Sequence, residues 1–488
     1  MSATESHWPT HFPFLNVLPS IFARLSIEWL LILWFATTPI ASFYIRYPPE
    51  RSLITFDRAV FGLVALILLI KWRRVAAIKT DGSRTTGFLS ASRFEVTWAL
   101  LSIVALMSAV VASNNFEYAT KMAVDSFWLP LLAFHVSRHH VDPRNRASSL
   151  TLTSIWLAWF LFATGAFEFA TGVNLFGYKG SELIREGERR VNGPFAADSS
   201  YAIICLLVTL LLFAMPRMLR LKFDTTGRVV YAGALAAGVV ASLLPLFRSV
   251  ALALVICWAI IEIGLVKQRA SEGVAGESQD KSILTSRSSF VDWLTKPRLV
   301  VFAVIALAVV VAESMSGSVR FEKRLADPQN AYGRLATWKA AAEVSFENPL
   351  FGVGLSNYNE YFDQKYNWVA EPDVYVFGAR ANRSPHSNPI WILAELGIIG
   401  FVLYLASNVY LFLMGYRALK GASNEVQRMA AICFLALAVA YWIPGLTLSS
   451  GYYSDLNLYY FFMLGVLSNK SLVSGSELTA RAVTSTTK

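Results

Sequence analysis

Residues 330–358 read NAYGRLATWKAAAEVSFENPLFGVGLSNY, and residues 383–400 read RSPHSNPIWILAELGIIG. The first stretch carries an arginine, acids and paired glycines. The second carries His386 and then becomes a long apolar run with one acid in it, Glu395. The chain around them is apolar: 55% of its 488 residues are hydrophobic and 16% charged. Its mean hydropathy of +0.47 lies outside the range of soluble domains. Apolar runs long enough to cross ~30 Å of hydrocarbon recur, separated by polar or Pro- and Gly-containing connectors. The reading is an all-α fold, a polytopic membrane helix bundle of about 12 transmembrane helices, in which the two quoted stretches form a polar island.

Working outward, the connectors set the orientation. Residues 71–93, 137–146, 216–228 and 416–428 are all basic and fall on connectors of one parity, as the positive-inside rule requires of cytoplasmic loops. That pattern accounts for the formal charge of +10 with no nucleic acid as partner. Residues 1–26 lack the basic start, short apolar core and small-residue cleavage site of a secretory signal, and read as a retained cytoplasmic tail. The first membrane bundle then covers 27–266, with about eight spans. Residues 267–298, rich in Ser, Gly and charge, read as a flexible cytoplasmic linker. The second membrane part covers 299–470, its ninth span over 299–313 delivering an outer loop at 315–388, and 471–488 is a second cytoplasmic tail. Cys205, Cys257 and Cys433 all fall in apolar runs and read as small core residues.

Several residues of the island have types that carry chemistry. The stretch after Asn330 reads as an N-capped helix ending at Asn348-Pro349, with Leu335, Trp338, Ala342 and Phe346 as an apolar stripe for membrane or bundle. Arg334 in its first turn opposes the macrodipole unless an anion is shared with it, which favours phosphate binding. Stacking on Trp338 or pairing with an acid explains it equally well. Gly352 and Gly354 argue for a tight turn. His386 is the one histidine in the outer polar regions, just ahead of Asn388, a plausible N-cap, and Pro389 at the first helical position. Its imidazole titrates near neutrality and suits proton transfer, or a structural role at the interface. Glu395, roughly 9 Å along the helix from Pro389, falls near the interface. Arg190 and Arg248 map to the same outer face, where snorkelling anchors are common. Glu371 and Asp373 could hold a divalent cation, yet loop acids are commonplace and no metal is assigned. Lys121 and Asp125, one turn apart, could pair with each other, or they could mark the midplane charges of a carrier.

GRLATW, then NPLFGVGLSNY, then HSNPIWILAELGIIGF, in that order ahead of a membrane span, resemble the O-antigen ligase and O-antigen polymerase family of Wzy/WaaL-type membrane glycosyltransferases. The match covers about Tyr332 to Leu405. Upstream, RRVNGPFAADSSYA resembles the family's Arg-x-x-Gly-x-Phe segment, and FRSVALAL its arginine hairpin, here with Phe247 and Ser249 beside Arg248. The resemblance implies a GT-C-like bundle in a bacterial inner membrane, both termini cytoplasmic, with a periplasmic loop over the active site. It implies transfer of a glycan from an undecaprenyl-diphosphate-linked donor to a glycan or lipid A core acceptor, with no cofactor, and with other polysaccharide-assembly proteins as partners. On that reading Arg334, Arg248 and Arg190 clamp the diphosphate while His386 and Glu395 serve the acceptor. Polymerase and ligase share these motifs. A transporter or flippase of the same lipid-linked oligosaccharide is the alternative, disfavoured because the polar residues gather at one face and no internal repeat is evident.

Overall fold

Apolar runs bounded by capping residues become helices where the sequence predicts them. A computed structural model of the chain describes residues 26–47, 54–78, 91–177, 191–219, 221, 223–275, 329–366, 375–376, 379–381, 383–469 and 472. The helices are α1 (Ile27–Tyr44), α2 (Phe56–Ile78), α3 (Arg93–Val111), α4 (Phe116–Ala123) and α5 (Leu129–His140), followed by α6 (Ala147–Thr171), α7 (Asp198–Met218), α8 (Thr225–Leu243) and α9 (Arg248–Ala275). After these come α10 (Gln329–Glu347), α11 (Tyr358–Lys365), α12 (Asn388–Lys420), α13 (Glu425–Gly445) and α14 (Ser454–Leu467). A π-helical turn over Val124–Trp128 joins α4 to α5 into one rod. Two antiparallel ladders of two residues each, β1 (Arg46–Tyr47) with β2 (Ile54–Thr55) and β3 (Tyr375–Val376) with β4 (Ala379–Arg380), are the extended elements among the described residues. The fold is all-α, as expected.

Seven described helices are long and apolar enough to cross a membrane: α1, α3, α6, α7, α8, α12 and α13. Four further expected spans fall on α2, on the α4–α5 rod, on α9 and on α14. The ninth expected span, at 299–313, lies outside the described residues, as do most of the 267–298 linker and nearly all of both tails.

Caps fix the helix starts at the basic end. Ser92 and Glu95 form a reciprocal capping box on α3, and Asp224 and Asn424 accept from backbone N–H groups at the starts of α8 and α13, replacing the amide partners a helix end lacks. Helix α7 is buried along its whole apolar window, contacting α6, α8, α13 and α14. It starts at Asp198, with Ala197 in the cap position. Buried hydroxyls within the spans, such as Thr38, Ser102 and Ser154, donate to the carbonyl four residues back, so no separate partner is required in an apolar surround.

The outer polar stretch has its own small core. Ala336, Ala340, Ala341 and Val344 of α10 pack with Tyr358, Phe362, Tyr366, Ala381 and Ala394. Of the two surfaces open to the predicted stripe, the bundle is not the one it meets: Leu335 is 43% exposed and Phe346 84%, and the face of small residues is the buried one. Close approach to α12 requires that face, because larger side chains would hold the helices apart.

Candidate active site

The turn NPLFGVG is built into α12. At Gly397 the helix breaks, with φ 64° and ψ −166°, and the freed backbone bonds to the turn. Val353 N–H donates to Ala394 O (2.9 Å), Gly354 N–H to Glu395 O (3.0 Å), and Ile398 N–H to Pro349 O (2.8 Å). A Cβ on Gly397 would stand 2.4 Å from the Leu350 carbonyl carbon, and one on Gly352 2.4 Å from that of Glu395. Both positions also have positive φ, so glycine is required for conformation and for space. Broken helices within a membrane bundle are tolerated where neighbouring groups satisfy the backbone again, which is what this turn does.

Glu395 sits beside the break and is 1% exposed, because the turn covers it. Its carboxylate accepts from the backbone N–H groups of Ser356 (2.9 Å) and Tyr358 (3.4 Å) and from the Tyr452 hydroxyl (3.2 Å). Asn357 extends the turn sideways: its amide donates to Ala112 O (2.7 Å) and Val353 O (2.9 Å) and its oxygen accepts from Asn114 N–H (3.1 Å). The turn therefore joins the outer ends of α3 and α4 to the middle of the α12 break.

His386 lies one residue before the α12 cap, with φ 47°, a left-handed conformation that a histidine adopts only where its surroundings hold it. On one side the Trp338 indole N–H donates to Pro385 O (3.1 Å), tying α10, and with it Arg334, to the residue before His386. On the other, the Ser384 and Ser449 hydroxyls meet at 3.3 Å. Ser387 occupies the cap position without a side-chain bond. Asn388, expected to be the cap, instead donates to the Ser450 hydroxyl (2.8 Å) and accepts from Gly451 N–H (2.8 Å). Arg248 opens α9 and is exposed. Arg190 lies outside the described residues, as do Glu371 and Asp373. The chain resumes at Val191, and the N–H groups of Asn192 and Gly193 donate to the buried Glu168 carboxylate at 3.1 and 2.7 Å.

From there Pro194, Phe195 and Ala196 run into the wall of a cavity of about 470 Å³. Its charged lining is Asp57, Arg58, Lys121, Asp125 and Asp455, and three tyrosines, Tyr118, Tyr452 and Tyr453, face it. Arg58 grips Asp125 with two nitrogens, at 2.8 and 2.6 Å, and Lys121 meets Glu117 at 3.0 Å. The partner of Asp125 thus comes from another span, not from Lys121 one turn away. Asp57 accepts from the Trp34 indole (2.7 Å) and the Ser42 hydroxyl (3.1 Å). Arg248, Arg334 and His386 do not line this cavity. Tyr452 is the link between the two regions, since its hydroxyl bonds Glu395 while the residue lines the cavity. Burial, and next to it the Glu395 charge, push the Tyr452 phenol well above its ordinary range, so it stays a neutral donor.

The ordered sequence of outer arginines, the broken helix with its inserted glycine turn and the histidine at the helix mouth can be set beside known proteins. Residues 192–405 match the O-antigen ligase family. The matched region runs from the cavity wall at Asn192 through α12 and contains Arg248, Arg334, His386 and Glu395. A Rickettsia conorii protein that carries the provisional name polysaccharide ligase is 30% identical over 142 residues, 28% of this chain and 31% of that protein. The chain therefore spans about a third of the length of the relative it matches. The O-antigen ligase region leaves out Asp57, Arg58, Lys121, Asp125 and Asp455, the charged lining of the cavity. Residue pattern did not single out Asp57, Arg58, Asp455 or the tyrosines. Their one signal was position, at the outer ends of spans of the same parity as the polar island.

Proposed function

We propose that the protein is a membrane glycosyltransferase of polysaccharide assembly. In this reading about 12 spans carry an active site at the periplasmic face of a bacterial inner membrane, with both termini cytoplasmic. Glycan passes from an undecaprenyl-diphosphate donor to an acceptor sugar hydroxyl, as polymerase or ligase. The observation that carries the reading is the O-antigen ligase match over 192–405, because that region holds the helix break and the histidine at its mouth.

The chemistry needs a base near the acceptor hydroxyl and positive charge on the departing diphosphate. His386, held in a strained backbone at the helix mouth, takes the acceptor proton. Arg334, with Arg248 and Arg190, stabilises the charge that grows on the diphosphate, since guanidinium forks bind phosphate oxygens bidentately and need no metal. Glu395, held by the Ser356 and Tyr358 N–H groups and the Tyr452 hydroxyl, positions the 353–358 turn and Tyr452 on the acceptor side. The cavity lining, two cations against three carboxylates with three tyrosine rings, suits a polyhydroxylated glycan better than a bare polyanion, because carboxylates accept from sugar hydroxyls and rings stack on sugar faces.

Purified protein in liposomes, given a defined undecaprenyl-diphosphate glycan and candidate acceptors, tests the proposal. Release of lipid diphosphate with a growing glycan ladder identifies a polymerase, and a single addition identifies a ligase. Transport of the intact lipid-linked glycan without release of the diphosphate would overturn the reading. Excess EDTA leaves the rate unchanged.

A further inference from the structure

The opposite end of the bundle holds a second group of ligating side chains. His135 and His139 stand four residues apart on α5, so both rings leave the same helix face, with ring centroids 4.6 Å apart. Glu95 of α3 faces them. One ligand atom from each of Glu95, His135 and His139 falls within 4.8 Å of the others. The two oxygens of Glu95 are in different situations. Oε2 accepts from the Ser92 N–H (2.6 Å), the Ser92 hydroxyl (2.7 Å) and Arg138 (2.7 Å), whereas Oε1 points to His135 Nδ1 at 2.7 Å. Glu95 itself is 4% exposed, so its orientation is fixed while one oxygen is presented to the histidine pair.

We propose that Glu95, His135 and His139 bind one divalent first-row transition metal ion, of the Zn2+ class, and clip α3 to α5. Two imidazoles and one carboxylate oxygen are the donor set that zinc sites use with a water completing the tetrahedron. Ligand atoms about 2.0–2.1 Å from a tetrahedral ion stand about 3.3 Å from each other. Coordination therefore needs Oε1 and the His135 nitrogen to part by a few tenths of an ångström and His139 to swing inward. Arg138 and Ser92 are the outer partners that hold the carboxylate in place, the role second-layer groups play around metal ligands. This site lies at the other end of the spans from His386 and takes no part in glycan transfer, so the proposal is independent of the activity assigned above.

The test uses the full chain in detergent with any affinity tag removed. His7 and His11 are replaced by glutamine, because they too are four residues apart. After incubation with Zn2+ and dialysis, elemental analysis is expected to give one zinc per chain, and zinc raises the melting midpoint by about 3 °C. The His135→Gln/His139→Gln pair is expected to lose both the bound zinc and the shift. Because that variant could fail to fold, X-ray absorption of the zinc-loaded parent gives a second measurement, with a nitrogen and oxygen shell showing two imidazoles expected. A parent that retains no zinc, a double variant that folds and binds zinc as tightly as the parent, or a shell without imidazole scattering would each overturn the proposal.

Discussion

Two buried glutamates, Glu95 near the basic connectors and Glu395 toward the opposite end, solve the same problem in different ways. Glu95 lies in an unbroken helix and is satisfied by its own cap and by the side chains of His135 and Arg138. Glu395 lies beside a break in α12 and takes two of its partners from the backbone of a segment about forty residues earlier in the chain. A side-chain solution keeps the helices regular and stiff. A backbone solution needs an irregular segment, and with it come the left-handed His386, the inserted glycine turn and a cavity next to Tyr452. Irregular backbone at membrane depth is costly unless it lines a cavity or is buried in protein, and among the described residues the break, the inserted turn and the left-handed His386 gather at one end.

The largest effect is expected at the glycines. Gly397→Val places side-chain atoms where the Leu350 carbonyl stands and forces a β-branched residue into positive φ. A loss of about 3 kcal/mol or more is expected, read as a collapse of the detergent-solubilised melting midpoint. An unchanged midpoint would mean that the turn and the helix break are not interlocked. Glu95→Gln comes next, at about 2–3 kcal/mol, because Arg138 and His135 lose a buried carboxylate. Glu395→Gln turns one accepting atom into a donor facing N–H groups and is expected to cost about 2 kcal/mol. It should also slow glycan transfer at least tenfold, whereas Glu95→Gln leaves transfer by the folded fraction close to wild type. Equal effects of the two on transfer would erase the distinction between the ends.

Smaller effects sharpen it. Arg58→Met removes the cation that grips Asp125 in the cavity, and a roughly tenfold fall in transfer, about 1.4 kcal/mol in the barrier, is expected with near-normal thermal stability. The smallest expected effect is at Glu347 on the surface of α10. Hydrogen bonds from Lys365 and Tyr361 hold its carboxyl below the ordinary value of 4.5. Its contribution is thus present above that value and lost as pH falls through the depressed one. Glu347→Gln should slightly lower neutral stability and flatten the acid limb of a stability profile below pH 4.5, where variant and wild type converge.

Much of this architecture was legible in the sequence, because a membrane span is a long apolar run whatever its neighbours are. The basic connectors at 137–146, 216–228 and 416–428 do mark one end of the described bundle. Other features depend on contacts between distant segments. Gly352 and Gly354 read as a tight turn because nothing local reveals that α12 opens to receive it. The burial of Glu395 was not legible because the covering segment is not on its helix. A Lys121–Asp125 pair was one of the two readings open to these residues, because residues four apart usually meet on a helix. The π turn beginning at Val124 and Arg58 from α2 draw Asp125 elsewhere. Asn388 has the residue type of a cap but is used to tie the helix mouth to Ser450 and Gly451.

We propose that glycan transfer occurs at the mouth of α12, with His386 as its base. It is tested most directly by the rate of lipid-diphosphate release from a defined donor in liposomes, measured for the wild type and for His386→Ala at matched folded concentration. A fall of about 100-fold or more is predicted, the scale of a lost general base, and release at the full wild-type rate by His386→Ala would contradict the account.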